Sequence, residues 1–149
     1  MAENKKIAEE LIKELFDHLG IKESFEVTEN DESIDLVISS DEPGLIIGRH
    51  GDTLDSLQLI ISLMLAKKLG EFKRVSIEVG DYKKNRSDYL KNLAAQTKER
   101  VVRERQEVYL PNLKSWERRE VHLYLQDDPD VVSESVGEGK ERTLVVKPR

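Results

Sequence analysis

Apolar residues recur at helical spacing from the start of the chain: Ile7, Leu11, Leu15 and Leu19, joined by Ala8, Ile12 and Phe16. That period predicts an amphipathic helix from about Lys5 to Leu19, with Gly20 as its C-cap. The period then drops to two. Phe25 and Val27 alternate with Ser24, Glu26 and Thr28, and Ile34, Leu36 and Ile38 alternate with Ser33, Asp35 and Ser39. This reads as two strands joined by a hairpin turn at Asn30-Asp31-Glu32. Pro43 opens a short helical turn, Gly44-Leu45-Ile46-Ile47, that ends at Gly48. A long helix is predicted from near Asp52 to about Leu69, closed by Gly70, with Leu54, Leu57, Ile61 and Leu65 as its core stripe. Leu59, Ile60, Leu63 and Met64 carry apolar surface beyond that stripe, so this helix needs cover on more than one side. Val75, Ile77 and Val79 alternate as a third strand.

A new unit begins at Tyr82 with a long, charge-rich helix whose buried face is traced by Leu90, Leu93, Thr97 and Val101. On it Lys84, Lys91, Lys98 and Arg105 recur every seventh position. The apolar stretch Val108-Tyr109-Leu110 leads to Pro111, and Ser115 is the expected N-cap of a helix from Trp116 to about Gln126, ended by Asp127-Asp128-Pro129. Strands are expected over Val131 to Val136 and Thr143 to Val146, joined by Gly137-Glu138-Gly139. The fold class is thus α+β: residues 1–81 in the order helix, strand, strand, helix, helix, strand, and residues 82–149 as a second, smaller α+β domain. Trp116, Tyr109 and Tyr124 are read as core.

Composition removes several functions. The 149 residues include no cysteine, which excludes disulfides, thiolate metal sites and cysteine nucleophiles. The longest apolar run, Leu57 to Ala66, is broken by Gln58 and Ser62 and falls short of the ~20 residues a membrane span needs. The amphipathic start is unlike a signal peptide, so a cytoplasmic location and no membrane insertion are expected. His18, His50 and His122 lack metal-ligand spacing, no nucleophile elbow or P-loop is present, and neither enzyme activity nor a cofactor is expected. Asp127, Asp128 and Asp130 mark a helix end at a proline turn rather than an acid–base cluster, and His18 suits the dipole of the first helix's C-terminus. The net charge of −6 argues against a nucleic-acid partner until it is divided along the chain. Residues 1–42 hold 4 basic and 13 acidic side chains, whereas residues 43–74 hold 5 and 3 and residues 82–122 hold 11 and 6. An acidic head precedes two basic zones.

The first basic zone contains Gly48-Arg49-His50-Gly51. Glycines at both ends let a phosphate backbone approach closely. The helix starting at Asp52 presents unpaired N–H groups and the positive end of its dipole. Arg49 adds a fixed cation, His50 a pH-dependent donor, and Ile46 and Ile47 an apolar floor for bases. Spacing alone fits an ordinary turn equally well. The segment Gly44-Leu45-Ile46-Ile47-Gly48-Arg49-His50-Gly51, in its element order, resembles the signature of a KH domain of type II topology. The resemblance implies a loop that clamps the backbone of about four unpaired nucleotides.

In the second basic zone Arg118 and His122 lie one helical turn apart, with Arg119 beside them. Trp116 to His122, Leu125 to Pro129, and Ser133 to Gly139 with Arg142 resemble the Arg-x-x-x-His, or R-three-H, domain. A KH unit followed directly by this domain is similar to the bacterial Jag (SpoIIIJ-associated) family, and the resemblance spans essentially the whole chain. It implies single-stranded nucleic-acid binding by both halves, with RNA as the expected partner and a post-transcriptional regulatory role. It also implies assembly with a small KH protein or with a second copy. Many members begin with an additional N-terminal domain, whereas this sequence starts at the KH unit. The stretch Asn112-Leu113-Lys114-Ser115 lacks the methionine and proline of nearer relatives. The competing reading is a scaffold in which the KH unit serves for dimerisation, with weak or single-stranded DNA binding.

Overall fold

The computed structural model describes residues 2–149. Its contacts divide the chain into two units, one running to Tyr82 and the other from Lys83 to Arg149. In the first, α1 (Ala2–Leu19) is followed by β1 (Ser24–Glu29), β2 (Ser33–Ser39), a short α2 (Pro43–Ile47), α3 (Asp52–Leu69) and β3 (Arg74–Val79). The hairpin forms where Asn30 interrupts the alternation: its Oδ1 accepts hydrogen bonds from the backbone N–H of Glu32 and of Ser33. β2 is the central strand, antiparallel to β1 with Val27 opposite Leu36, and parallel to β3 with Leu36 opposite Ile77.

One face of this sheet carries Val27, Ile34, Leu36, Ile38, Val75, Ile77 and Val79 into a core shared with Ala8, Ile12 and Phe16 of α1 and the expected α3 stripe. The polar break at Gln58 has a structural use, since its Oε1 accepts a hydrogen bond (3.2 Å) from Ile77 N–H on the edge strand β3. α3 ends as expected, with Gly70 at φ 72° and its N–H bonded to the Ala66 carbonyl. Of the remaining apolar surface of α3, Met64 is half-buried but the rest is uncovered: Leu59 is 60% and Leu63 63% exposed, with Ile60 exposed beside them.

The second unit holds α4 (Tyr82–Glu104, its first residue shared with the preceding unit), β4 (Val108–Leu110), α5 (Ser115–Leu125), β5 (Val131–Val136) and β6 (Thr143–Pro148). The three strands form an antiparallel sheet ordered β4-β6-β5. Leu90, Ala94 and Val101 of α4 and Val121 and Leu125 of α5 pack with Leu110, Val131, Leu144 and Val146. The aromatic residues read as core are not core. Trp116 is 38%, Tyr124 50% and Tyr109 55% exposed. At helical period the apolar face of α5 is filled by Val121 and Leu125, which leaves Trp116 and Tyr124 outside it.

Among the described residues no helix is long and apolar enough to cross a membrane.

Candidate nucleic-acid interface

The loop Gly48–Gly51 is set by backbone geometry. Gly48 has φ 70° and ψ −170°, a region open essentially only to glycine. A Cβ there would stand 2.1 Å from Thr53 Oγ1. Gly48 N–H still closes α2 onto the Gly44 carbonyl at 2.8 Å. His50 takes the left-handed conformation (φ 53°, ψ 26°) and Gly51 follows at φ 81°. Gly51 is buried, and a Cβ on it would come within 2.8 Å of the Tyr82 hydroxyl. These constraints turn the chain sharply into α3 and leave Arg49 and His50 exposed. The loop therefore presents a guanidinium and an imidazole beside the N-terminus of an 18-residue helix, an arrangement suited to an anion.

Ile46 differs from its expected place. It is 5% exposed and belongs to the core, so it anchors the loop from below rather than lying beside a base. Ile47 is half-buried, while Leu45 is 78% exposed and is the solvent-facing apolar side chain of α2.

In the second unit α5 carries Arg118, Arg119 and His122. Arg118 is half-buried, donating from Nη1 to the Leu113 carbonyl (2.6 Å) and from Nη2 to Ser115 Oγ (3.1 Å). Its guanidinium thereby pins the turn that enters α5. Arg119 and His122 are exposed, and His122 Nδ1 lies 2.8 Å from Ser133 Oγ on β5, which ties the ring to that strand. Ser115 is not the N-cap. Lys114 holds that position, and Glu117 Oε2 reaches back to accept from Lys114 N–H at 3.0 Å, leaving Ser115 to receive Arg118.

Glu117 is also a buried carboxylate that local sequence did not flag. It is fully buried, and Arg86 Nε of α4 donates to its Oε1 at 2.8 Å. Breaking such a buried pair from one side costs about 3–5 kcal/mol. Ser87 Oγ donates to Glu120 Oε2 at 2.7 Å one turn along, so α5 is tied to α4 at two places. A glutamate and an arginine 31 positions apart give no local signal.

The basic stripe expected on α4 at seven-residue spacing is partly occupied. Lys98 pairs with Asp128 (2.6 Å) and approaches Asp130 (3.8 Å), so the aspartates at the end of α5 serve as its partners. The hydrogen bond from Lys98 holds the Asp128 carboxyl below its usual range. Arg105 falls past the end of α4, in a left-handed conformation with φ 56°. His18 Nδ1 lies 2.7 Å from the Glu14 carbonyl, at the C-terminus of α1.

Comparison with known proteins gives two domain matches: the KhpA/KhpB KH domain over residues 5–79 and the R-three-H domain over residues 88–148. The RNA-binding protein KhpB of Clostridium symbiosum is 32% identical over 139 residues, covering 92% of this chain and 63% of that protein. Its namesake from Bacillus subtilis is 28% identical over 127 residues, covering 84% of this chain and 61% of its own length. For the one from Streptococcus pneumoniae the identity is 30% over 135 residues, 91% of this chain and 41% of that protein. The chain thus spans less than two thirds of the curated relatives it matches. With both domains matched in that order, the chain belongs to the Jag (KhpB) family, a KhpA/KhpB-type KH domain followed by an R-three-H domain.

Proposed function

We propose that the chain binds single-stranded RNA and acts as a post-transcriptional regulator rather than as an enzyme. The observation that carries this reading is the loop itself: a glycine-only backbone at Gly48, a buried Gly51, and Arg49 and His50 held outward at a helix N-terminus. A phosphate placed there meets backbone donors, the Arg49 guanidinium and the His50 imidazole, with no side chain at either glycine in the way. In the second unit the RNA contacts are Arg119 and His122, with Trp116 and Tyr124 offering exposed rings for bases. Arg118 acts mainly by holding the entry to α5, which is where its guanidinium is engaged. The name shared by the relatives, RNA-binding protein KhpB, supports the same partner.

Ultraviolet crosslinking to cellular RNA, with mass-spectrometric mapping of the modified peptides, tests the reading. Crosslinks should concentrate over residues 45–51 and 116–124. A map that avoids both segments contradicts it, and sequencing of the attached RNA identifies the targets.

A second reading is favoured by one observation: Leu59, Ile60 and Leu63 form an exposed apolar stripe on α3. Through it the KH unit associates with another KH domain, either of a small separate protein or of a second copy. This association and RNA binding are compatible.

A further inference from the structure

The outer face of the first sheet carries a cavity of about 450 Å³ where β2 and β3 begin. The Gly48–Gly51 loop lies beyond the other end of the same strands, so this is a separate place on the unit. Its size falls within the roughly 300–1,000 Å³ of small-ligand pockets. Three of its residues have complementary chemistry. Phe72 is 78% exposed and contributes nothing to the core, leaving a ring face available. Arg74 is exposed, and among the described residues its guanidinium has no ion-pair partner, because the neighbouring Lys73 is the one taken by Glu29 (2.6 Å). Asp35, half-buried, is oriented by a short relay in which Asn30 Nδ2 donates to Ser33 Oγ (2.8 Å) and Ser33 Oγ donates to Asp35 Oδ2 (3.3 Å). Ser76 sits directly across from Asp35 in the register, as Arg74 does from Ser33.

A fixed carboxylate, a free guanidinium and an unburied ring suit a ligand with paired donors, an anion and a flat π-face. Among nucleobases, guanine alone places two adjacent donors, N1–H and the N2 amino group, where the two oxygens of a carboxylate can accept both. Adenine and cytosine offer a donor beside an acceptor, and uracil flanks its one donor with carbonyls. We propose that this cavity binds a guanosine 5′-phosphate group, with its base edge on Asp35, its ring on Phe72 and its phosphate on Arg74. A free guanine nucleotide and a guanosine within single-stranded RNA share this chemistry.

The test is a titration of the full chain, followed by backbone amide chemical shifts, with GMP, AMP, guanosine, xanthosine 5′-phosphate and a short RNA containing one guanosine. Saturable shifts at residues 33–35 and 72–76 are expected with GMP and not with AMP. If GMP suffices, the ligand is the free nucleotide; if only the oligonucleotide produces them, it is a residue of an RNA strand. Asp35→Asn should weaken guanine binding about ten- to a hundredfold and improve binding of xanthine, whose N1–H and C2 carbonyl match an amide. Arg74→Ala should weaken GMP but not guanosine. The loop variant Arg49→Asp/His50→Asp should leave the GMP titration unchanged, which separates this site from the RNA reading above. Equal responses to AMP and GMP, or no shifts in these segments with either GMP or the oligonucleotide, overturn the proposal. So does an Asp35→Asn variant that keeps its amide spectrum and its GMP affinity.

Discussion

At Gly48 a φ of 70° with ψ −170° coincides with a close approach to Thr53, and both exclude a side chain. Gly48→Ala should therefore cost about 1–3 kcal/mol of stability in the first unit, measured by denaturant unfolding, and should disorder the loop. A midpoint equal to the parent's would mean that Thr53 and the backbone adjust freely, and the geometric account of the loop would fail. The two glycines were legible because their spacing is tied to a local backbone requirement. Arg118 was legible as a position on a helix face but not as a bound side chain. Its partners, the Leu113 carbonyl and Ser115, depend on how the preceding turn folds back. Ile46 shows the same limit, since helical spacing in a five-residue helix does not say which apolar side chain meets the sheet.

Elements with a clear period came through well: the α3 stripe, both strand alternations and the Gly70 cap follow from local sequence. Elements defined by distant partners did not. β4 is three residues long and exists through its pairing with β6, and the cap of α5 comes from Glu117 rather than from the serine that local preference favours. The Lys98–Asp128 pair joins α4 to the end of α5 and adds a pH dependence. The hydrogen bond from Lys98 lowers the Asp128 pKa in the folded state below 3.8. The unfolded chain therefore takes up the proton first as pH falls, and the stability held above pH 3.8 is lost as pH drops through the lower folded value. The Lys98 pKa is raised by its hydrogen bond to Asp128, so on the alkaline side the contribution fades as pH climbs through that raised value. Asp128→Asn should flatten the acid limb of thermal stability between about pH 5 and pH 2. An acid limb as steep as the parent's would show that other carboxylates govern it.

Over the whole molecule, the net charge of −6 is a poor guide, because residues 1–42 hold 13 acidic against 4 basic side chains while the two candidate RNA-contacting segments lie in basic zones. The exposed stripe on α3 is the observation behind the proposed association through the KH unit. Leu63→Glu should lower the mass seen by sedimentation if copies of this chain pair there, and should leave RNA affinity per chain within about twofold, since a rim or surface change of this kind is worth under ~0.5 kcal/mol elsewhere. A drop in RNA affinity without a change in mass would place that stripe in the RNA site instead. The order of units was readable from the alternation of periods. The exposure of Trp116 and Tyr124 was not, because it is decided by which face of α5 the sheet covers.

In the proposed function the loop at Gly48–Gly51 grips RNA by charge and close approach. The direct measurement is the affinity of the parent chain and of Arg49→Asp/His50→Asp for a short unstructured RNA across a range of salt. Aspartate tolerates the left-handed conformation at His50, so the fold should survive, as circular dichroism would verify. The parent's affinity should fall with salt at a log–log slope of about −0.7 per neutralised phosphate. The variant should lose binding at moderate salt. A folded variant with the parent's affinity and slope would contradict the account.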